Sequence, residues 1–408
     1  MLIKSISLTN FRNHNQYYLE CNPDTTLILG ENGCGKTSVL EAIYILTRGK
    51  SFRATDPDII KREAPFYRIE LTYDNGETRV ATYNHQVKTF ICFDKKSRRL
   101  PKKAKHPVVL FQPSDLNLVS GSPSRHREYF DHIFSELSEE YSTNLSKYEK
   151  ALHQRNELLK SDNLSRDALF SWNLLLARYG SNLHKMRQEF IIFINENLNP
   201  FYTSIAENHD LVFLKHKTEL KNITESAYLK FLEQNFEKDH YLGHTSFGIH
   251  RDDFEFFFNA NPASGSASRG ETRSLILALK FVEAKILEEK LGEKPIILLD
   301  DVFSELDNLR RKCLINNFKD HQVILTSVEA VTYYPYYNNC SKMPPLGSSC
   351  LQNTSSYYKP FLLRHISVAP RLLAPATHNV AHIYKHPSSH SSYYSQMLPR
   401  SQFVFPFL

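Results

Sequence analysis

The sequence predicts an α/β fold: a body led by a glycine-rich loop, a helical lobe inserted into that body, and an irregular segment after it. Three observations carry this expectation. The stretch LILGENGCGKTSVLEAI (27–43) passes from an apolar strand-like run through three glycines into a helix-like one. The run Pro295-Ile296-Ile297-Leu298-Leu299 ends in an acid pair, Asp300-Asp301. From about 123 to 240 the apolar period changes from two residues to three and four, and after 244 it changes back.

The elements follow in order. From 1 to about 115, apolar residues alternate or run in short stretches (2–8, 25–29, 67–73, 79–83, 89–93, 107–111), broken by Asn75-Gly76 and by prolines, which is the pattern of strands joined by turns. One helix, about 36–48, interrupts them. In the next region Leu169, Trp172, Leu176, Tyr179, Leu183, Met186, Phe190 and Phe193 are spaced 3, 4, 3, 4, 3, 4, 3, which keeps one apolar seam on a helix. Phe130, Ile133, Leu137, Tyr141, Leu145, Tyr148 and Leu152 form a similar stripe. Such seams mostly bury against their own domain rather than against a partner. A strand at 253–258, a helix at 270–290, a strand at 295–299, a helix at 308–319 and a strand at 322–326 then restore the α/β pattern. The expected organisation is a body at 1–120 and 244–330, a helical lobe at 121–243, and a separate segment at 331–408.

Composition restricts the possible functions. Of the 50 Lys and Arg residues six lie in 331–408, which has no acid, so residues 1–330 hold 44 basic against 44 acidic groups. The body is neutral, and a nucleic-acid surface on it would be a local patch. Residues 331–408 also carry 9 of the 22 tyrosines, 9 of the 19 prolines and 12 serines, without helical or strand periodicity. The abrupt loss of acids favours a wrong-frame extension of a truncated protein over a disordered tail. No apolar run approaches the roughly 20 residues of a membrane span, and the start MLIKSISLTNFRN alternates like a strand rather than a secretory signal, so a cytoplasmic location without a membrane partner is expected. The cysteines (21, 34, 92, 313, 340, 350) include no Cys-x-x-Cys pair and indicate neither a zinc site nor a disulfide framework.

Gly30-Glu31-Asn32-Gly33-Cys34-Gly35-Lys36-Thr37 matches G-x-x-x-x-G-K-[ST] and lies after a strand and before a helix, where its mechanism requires it. Glycines let the backbone N–H groups wrap a polyphosphate, and the helix start adds the positive end of its dipole. Lys36 would reach the β and γ phosphates of ATP, and Thr37 would offer its hydroxyl to Mg²⁺. Hydrolysis needs a second carboxylate at a strand end. Asp300 suits the metal and Asp301 the attacking water. Ser268-Arg269-Gly270-Glu271 opens the helix near 270, where a serine is first of all a cap, and Ser304-Glu305-Leu306-Asp307 follows the acidic strand.

This order of motifs resembles that of ATP-binding-cassette (ABC) ATPases, in which the Ser-x-Gly helix of one subunit caps the γ-phosphate held by another. Between the motifs stand Gln112-Pro113-Ser114-Asp115-Leu116-Asn117-Leu118-Val119-Ser120-Gly121-Ser122-Pro123, Arg127 and Asp131, with Phe11-Arg12-Asn13, Lys50-Ser51-Phe52-Arg53, His250-Arg251-Asp252-Asp253 and 299–307 elsewhere. Together these resemble the RecF family of DNA replication and repair proteins over about 1–328. His126 stands where that family usually has an arginine, and Ile249 where a proline commonly precedes His-Arg-Asp-Asp.

The resemblance implies an ABC-ATPase head related to chromosome-structuring heads, with a helical second lobe and a slow, DNA-stimulated ATPase. It implies an ATP-dependent homodimer on gapped DNA, single- and double-stranded, that works with RecO and RecR in loading the RecA recombinase, within the SOS response to DNA damage. By the same resemblance Gln112 senses the metal, and Ser268 and Gly270 act in trans on the nucleotide of a partner copy.

For DNA contact the sequence offers KKSRRLPKKAK (95–105), with Lys95, Lys96, Arg98, Arg99, Lys102 and Lys103, against the plain reading of a solvated loop. The competing function is a transporter-type ABC ATPase subunit, which would need a membrane partner and a histidine after the last strand, where Thr326-Ser327 stands.

Overall fold

The structure, a computed structural model, describes residues 1–328 other than 85, 162–165 and 220–223, together with a short strand at 340–342. All of these lie in one compact unit, Met1–Leu351. The remaining expectations for 331–408 fall outside the described residues. No helix among the described residues is long and apolar enough to cross a membrane.

The chain opens with β1 (Ile3–Phe11) and β2 (His14–Glu20), crosses to a second sheet as β3 (Thr25–Leu29), and runs through α1 (Lys36–Arg48) and the short α2 (Asp56–Ile59). It returns as β4 (Phe66–Tyr73), β5 (Thr78–Asn84), β6 (Val87–Cys92) and β7 (Lys95–Ser97), giving an antiparallel sheet of order β2-β1-β4-β5-β6-β7. β4 alternates strictly, burying Tyr67, Ile69, Leu71 and Tyr73. The two-residue side-chain period turns that apolar row to one face, toward α1.

After β8 (Val108–Phe111) come the lobe helices α3 (Pro123–Leu137), α4 (Glu139–Leu159) and α5 (Arg166–Ala206), then β9 (Val212–Lys217), α6 (Glu225–Gln234) and α7 (Phe236–Leu242). The expectation of a purely helical stretch is corrected by β9, whose alternation of buried Val212 and Leu214 with exposed Phe213 and Lys215 is short enough to hide between long helical seams. The stripe from Phe130 to Leu152 is not one helix. It breaks at Ser138, whose hydroxyl caps α4 by accepting from the Tyr141 N–H at 3.1 Å, so the apolar spacing runs on through a bend. The long seam lies on α5, which packs on α4, α6, β9 and a later helix of the body.

β10 (Asp253–Phe258) pairs with β9 and with the two-residue β11 (Asn261–Pro262). Among the described residues no further strand pairs with the outer edge of β9. Asn195 of α5 accepts from the Leu214 N–H at 2.7 Å and donates to its carbonyl at 2.8 Å, and Asn199 accepts from the Val212 N–H at 2.9 Å.

The chain then forms α8 (Ala263–Ser266), α9 (Arg269–Leu291), β12 (Ile296–Asp300), α10 (Asn308–Asn317), β13 (Val323–Ser327) and β14 (Cys340–Lys342). The second sheet is parallel, of order β14-β3-β13-β12-β8. The last strand was not expected from the composition of its segment. Alternation sorts the sheet's apolar side chains between two cores: Ile28, Leu298 and Ile324 join α1 and the antiparallel sheet, and Leu27, Leu299 and Leu325 join α9 and the lobe. A parallel sheet covered on both faces explains the near-continuous apolar strands that marked it in sequence.

Two buried polar nodes hold the lobe, and periodicity gave no sign of either. Arg155 of α4, fully buried, donates to Asn173 of α5 at 2.7 Å, to Asp239 of α7 at 2.8 Å and to Thr245 at 2.7 Å. Arg187 of α5 forks onto both oxygens of Asp131 of α3 at 2.8 and 2.9 Å, and donates to the Ile249 carbonyl at 2.9 Å. His126 bridges the Leu118 carbonyl, at 2.6 Å, and Asp253, at 2.7 Å. An imidazole with two opposed nitrogens can thus join the segment after β8 to β10 where an arginine is usual.

Candidate nucleotide site

β3, β12 and β8 are parallel, so the segments leaving their carboxyl ends emerge on one side of the sheet. Those segments are the phosphate loop, Asp301 and Gln112. The residues the sequence marked at three separate points therefore converge through strand order alone.

The loop turns through left-handed backbone at Gly33 (φ 84°) and Gly35 (φ 104°). At Gly35 a Cβ would lie 2.4 Å from Nε2 of His14, so both the dihedral and the space demand glycine. His14 sits 3.2 Å from the Gly35 carbonyl and Asn13 donates to the Gly33 carbonyl at 3.1 Å, so the β1–β2 turn props the loop from outside. Lys36, almost fully buried, donates to the carbonyls of Gly30 at 2.6 Å and Glu31 at 2.9 Å. Cys34 is buried and takes the place of a small side chain in the turn.

Under the loop lies Glu41 of α1, whose side chain is 0% exposed. It accepts from Arg12 at 2.6 and 2.9 Å, from Ser51 at 2.6 Å and from Arg53 at 2.9 and 3.1 Å. Burial alone would raise its pKa. The two guanidiniums and the hydroxyl outweigh burial and hold the carboxyl below its ordinary range. Two stretches quoted above for their resemblance, Phe11-Arg12-Asn13 and Lys50-Ser51-Phe52-Arg53, thus meet on one carboxylate. An acid inside the apolar run Val39-Leu40-Glu41-Ala42-Ile43 was the available signal. Glu41→Ala leaves two partly exposed arginines without a counter-charge, and the expected loss is about 2 kcal/mol of unfolding free energy with weaker ATP binding, measured by urea titration and calorimetry.

Thr37 donates to Oδ1 of Asp300 at 2.8 Å, and Thr326 of β13 donates to the same oxygen at 3.0 Å. A hydroxyl beside a carboxylate oxygen is the hard-oxygen pair that Mg²⁺ takes with phosphate, so these residues fit that ion. Asp301 sits in left-handed backbone (φ 53°) at the strand end, its N–H given to Thr326 at 2.9 Å. Its Oδ1 is buried with no hydrogen-bond partner among the described residues. Burial raises its pKa above the ordinary value, the Asp300 and Glu305 charges add to this, and Lys36 opposes it. An unsatisfied, partly desolvated carboxylate held off its strand is suited to accept a proton from water.

Gln112 directly follows β8, and its N–H donates to Asp115 at 3.0 Å. Asp115 lies 3.4 Å from the buried ammonium of Lys280 on α9, which also donates to Glu283 at 3.1 Å, and Glu283 accepts from Tyr129 of α3 at 2.7 Å. This chain of charges ties the Gln112 segment to α9 and to the lobe. Sequence reasoning missed it, although a lysine amid LILALKFVEA carried the same signal as Glu41.

Ser268 caps α9: its hydroxyl accepts from the Glu271 N–H at 3.2 Å, and Glu271 accepts from the Ser268 N–H at 2.6 Å. Ser268 is exposed, and no hydrogen bond among the described residues joins it to the phosphate loop of its own chain. Gly270 lies beside Arg310, with a built Cβ 3.4 Å from that guanidinium. Arg310 donates to Ser274 of α9 at 2.9 Å, and Asp307 caps α10 by accepting from the Arg310 N–H at 3.0 Å. Lys95, Lys96, Arg98, Arg99, Lys102 and Lys103 lie on the edge strand β7 and the turn after it, all exposed, with Lys102 paired to Glu139.

A phosphate loop, an acid-tipped strand two places along the sheet, a glutamine after the strand beyond it and a serine-capped helix on the opposite sheet face define the ABC-ATPase head, a P-loop class. The AAA ATPase domain family profile matches residues 1–242. The DNA replication and repair protein RecF of Clostridium perfringens (strain SM101 / Type A) is 33% identical over 345 residues, covering 82% of this chain and 95% of that protein. A solved structure of the recombination mediator protein RecF-ATPrS in the RecFOR pathway superposes with a TM-score of 0.75 at 28% identity, over 84% of this chain and 96% of that one. The Smc head domain with a coiled coil and joint derived from Pyrococcus yayanosii, at TM-score 0.51 and 12% identity over 85% of this chain and 96% of that one, shares the fold alone. The chain belongs to the RecF family of DNA replication and repair proteins.

Proposed function

We propose that the chain is an ATP-dependent DNA clamp of recombinational repair in the RecFOR pathway, a slow ATPase stimulated by DNA. Two copies close on ATP. Lys36, with the loop Gly30, Glu31, Asn32, Gly33, Cys34, Gly35 and Thr37, holds the phosphates in one copy, and Ser268 and Gly270 of the other cap the γ-phosphate. Thr37 and Asp300 hold Mg²⁺, Gln112 reports its presence to the lobe, and Asp301 orients and deprotonates water. When bound, the ion supplies charge neutralisation at the β and γ phosphates. The closed dimer grips gapped DNA, works with RecO and RecR, and helps to place RecA in the cytoplasmic SOS response. Lys95, Lys96, Arg98, Arg99, Lys102 and Lys103 are proposed phosphate contacts on β7 and its turn.

One observation carries the reading. The cap serine of a 23-residue helix stands exposed, engaged among the described residues with its own helix alone, in a chain that carries its own lysine loop. Such a serine is free to act on a second copy. Sedimentation of the full chain with gapped DNA tests this. Wild type is expected to double in mass and bind DNA only with ATP, whereas Lys36→Met stays monomeric with DNA affinity lowered at least tenfold. Self-association without ATP, or unchanged DNA binding by Lys36→Met, overturns the clamp.

A further inference from the structure

Away from the nucleotide residues, three side chains from separate elements meet inside the lobe: His184 on α5, His216 on β9 and Asp252 just before β10. One possible ligand atom from each lies within 4.8 Å of the others. His184 is 2% exposed, and the side chains of His216 and Asp252 are each 6% exposed. Among the described residues neither ring nitrogen of His184 has a hydrogen-bond partner, nor has Nδ1 of His216. The rings face each other with centroids 5.1 Å apart, and His216 is fixed by stacking on Phe254 and by its Nε2 contact to Asp252 at 2.8 Å. A buried imidazole with both nitrogens unsatisfied is a cost to the fold that a ligand would offset.

Asp131, Asp252 and Asp253 gather here against two arginines. Arg187 is committed to Asp131 through three bonds and reaches Asp252 only at 3.4 Å, while Arg127 donates to the Asp252 backbone carbonyl. A neutral imidazole carries one N–H and one lone pair, so His184 can offer one nitrogen to an ion. The Asp252 carboxylate supplies the third donor, an oxygen.

We propose that His184, His216 and Asp252 form a binding site for one divalent transition-metal ion, with zinc the ion that two imidazoles and a carboxylate suit. Zinc bonds of about 2.0–2.1 Å bring tetrahedral ligands to roughly 3.3 Å from one another, so small ring rotations close the present spacing. The ion would pin α5 to the lobe's small sheet. Cysteine spacing gave no hint of it, because its ligands are histidines and an aspartate, each more than thirty residues from the next.

The test uses the untagged full chain, without nucleotide, stripped with chelator and given Zn²⁺. Wild type and the exposed-site control His209→Ala are expected to carry one zinc per chain through gel filtration and to melt several degrees higher than their stripped forms. His184→Leu, which removes an unsatisfied buried ring and should fold, and His216→Gln are expected to bind at least tenfold more weakly and to lose that shift. A wild type that retains no zinc, or His184→Leu and His216→Gln variants that retain as much as wild type, overturns the site. Should a variant not fold, nitrogen NMR of the wild-type imidazoles decides. Two buried rings that shift at one equivalent of Zn²⁺ support the site, and unmoved signals overturn it.

Discussion

Asp301→Asn is expected to lower ATP hydrolysis by a factor of about 10²–10⁴ while leaving ATP binding intact, so that the ATP-bound dimer accumulates on DNA. This corresponds to roughly 3–5 kcal/mol of barrier. Asparagine keeps the shape and the left-handed backbone, which it tolerates well, and removes only the proton acceptor. The same change should not weaken the fold. The folded pKa of Asp301 lies above its unfolded value, so above both the ionised carboxylate opposes folding, and an amide relieves that cost. In wild type the acid limb of the pH–rate profile should lie higher than an ordinary aspartate would put it, since the base is lost as pH falls through its raised pKa. Single-turnover hydrolysis and denaturant titration together check both halves. Asp301→Asn hydrolysis within threefold of wild type would remove Asp301 from the reaction.

Breaking the Arg155–Asp239 pair should have the largest effect on stability. Both side chains are 0% exposed, and Asp239 also accepts from the Ser246 N–H at 2.9 Å. Asp239→Leu strands a buried guanidinium, and Arg155→Leu strands a buried carboxylate. Each is expected to cost about 3–5 kcal/mol. The double variant, with neither charge, should recover a large part of that loss. Urea unfolding of the four species measures the coupling, and strictly additive losses would show that the pair acts as two independent polar groups.

Much of the body was legible because parallel strands buried on both faces read as apolar runs, and the loop and acid pair sit at their ends. Ile296–Asp300 and Lys36–Arg48 were readable for that reason. The lobe was less so. Its helices declared themselves by period, but Ser138 breaks a stripe whose spacing continues across the bend, and β9 is too short to interrupt helical seams. The polar interior was invisible. Arg155 meets Asp239 across 84 residues, and Tyr129 meets Glu283 across 154, distances at which only the fold chooses partners. Glu41 and Lys280 could have been suspected as charges inside apolar runs, yet a single sequence does not name the groups that neutralise them.

The amides that Asn195 and Asn199 lend to β9 have a consequence for solubility. An open strand edge invites self-templated growth, and here the adjoining Leu211 and Phe213 are exposed and would stabilise such stacking. By engaging alternate backbone groups, two side chains of one helix block that route to fibres without adding a strand. The lobe can therefore keep this strand at its surface without offering its backbone as a template to a second copy.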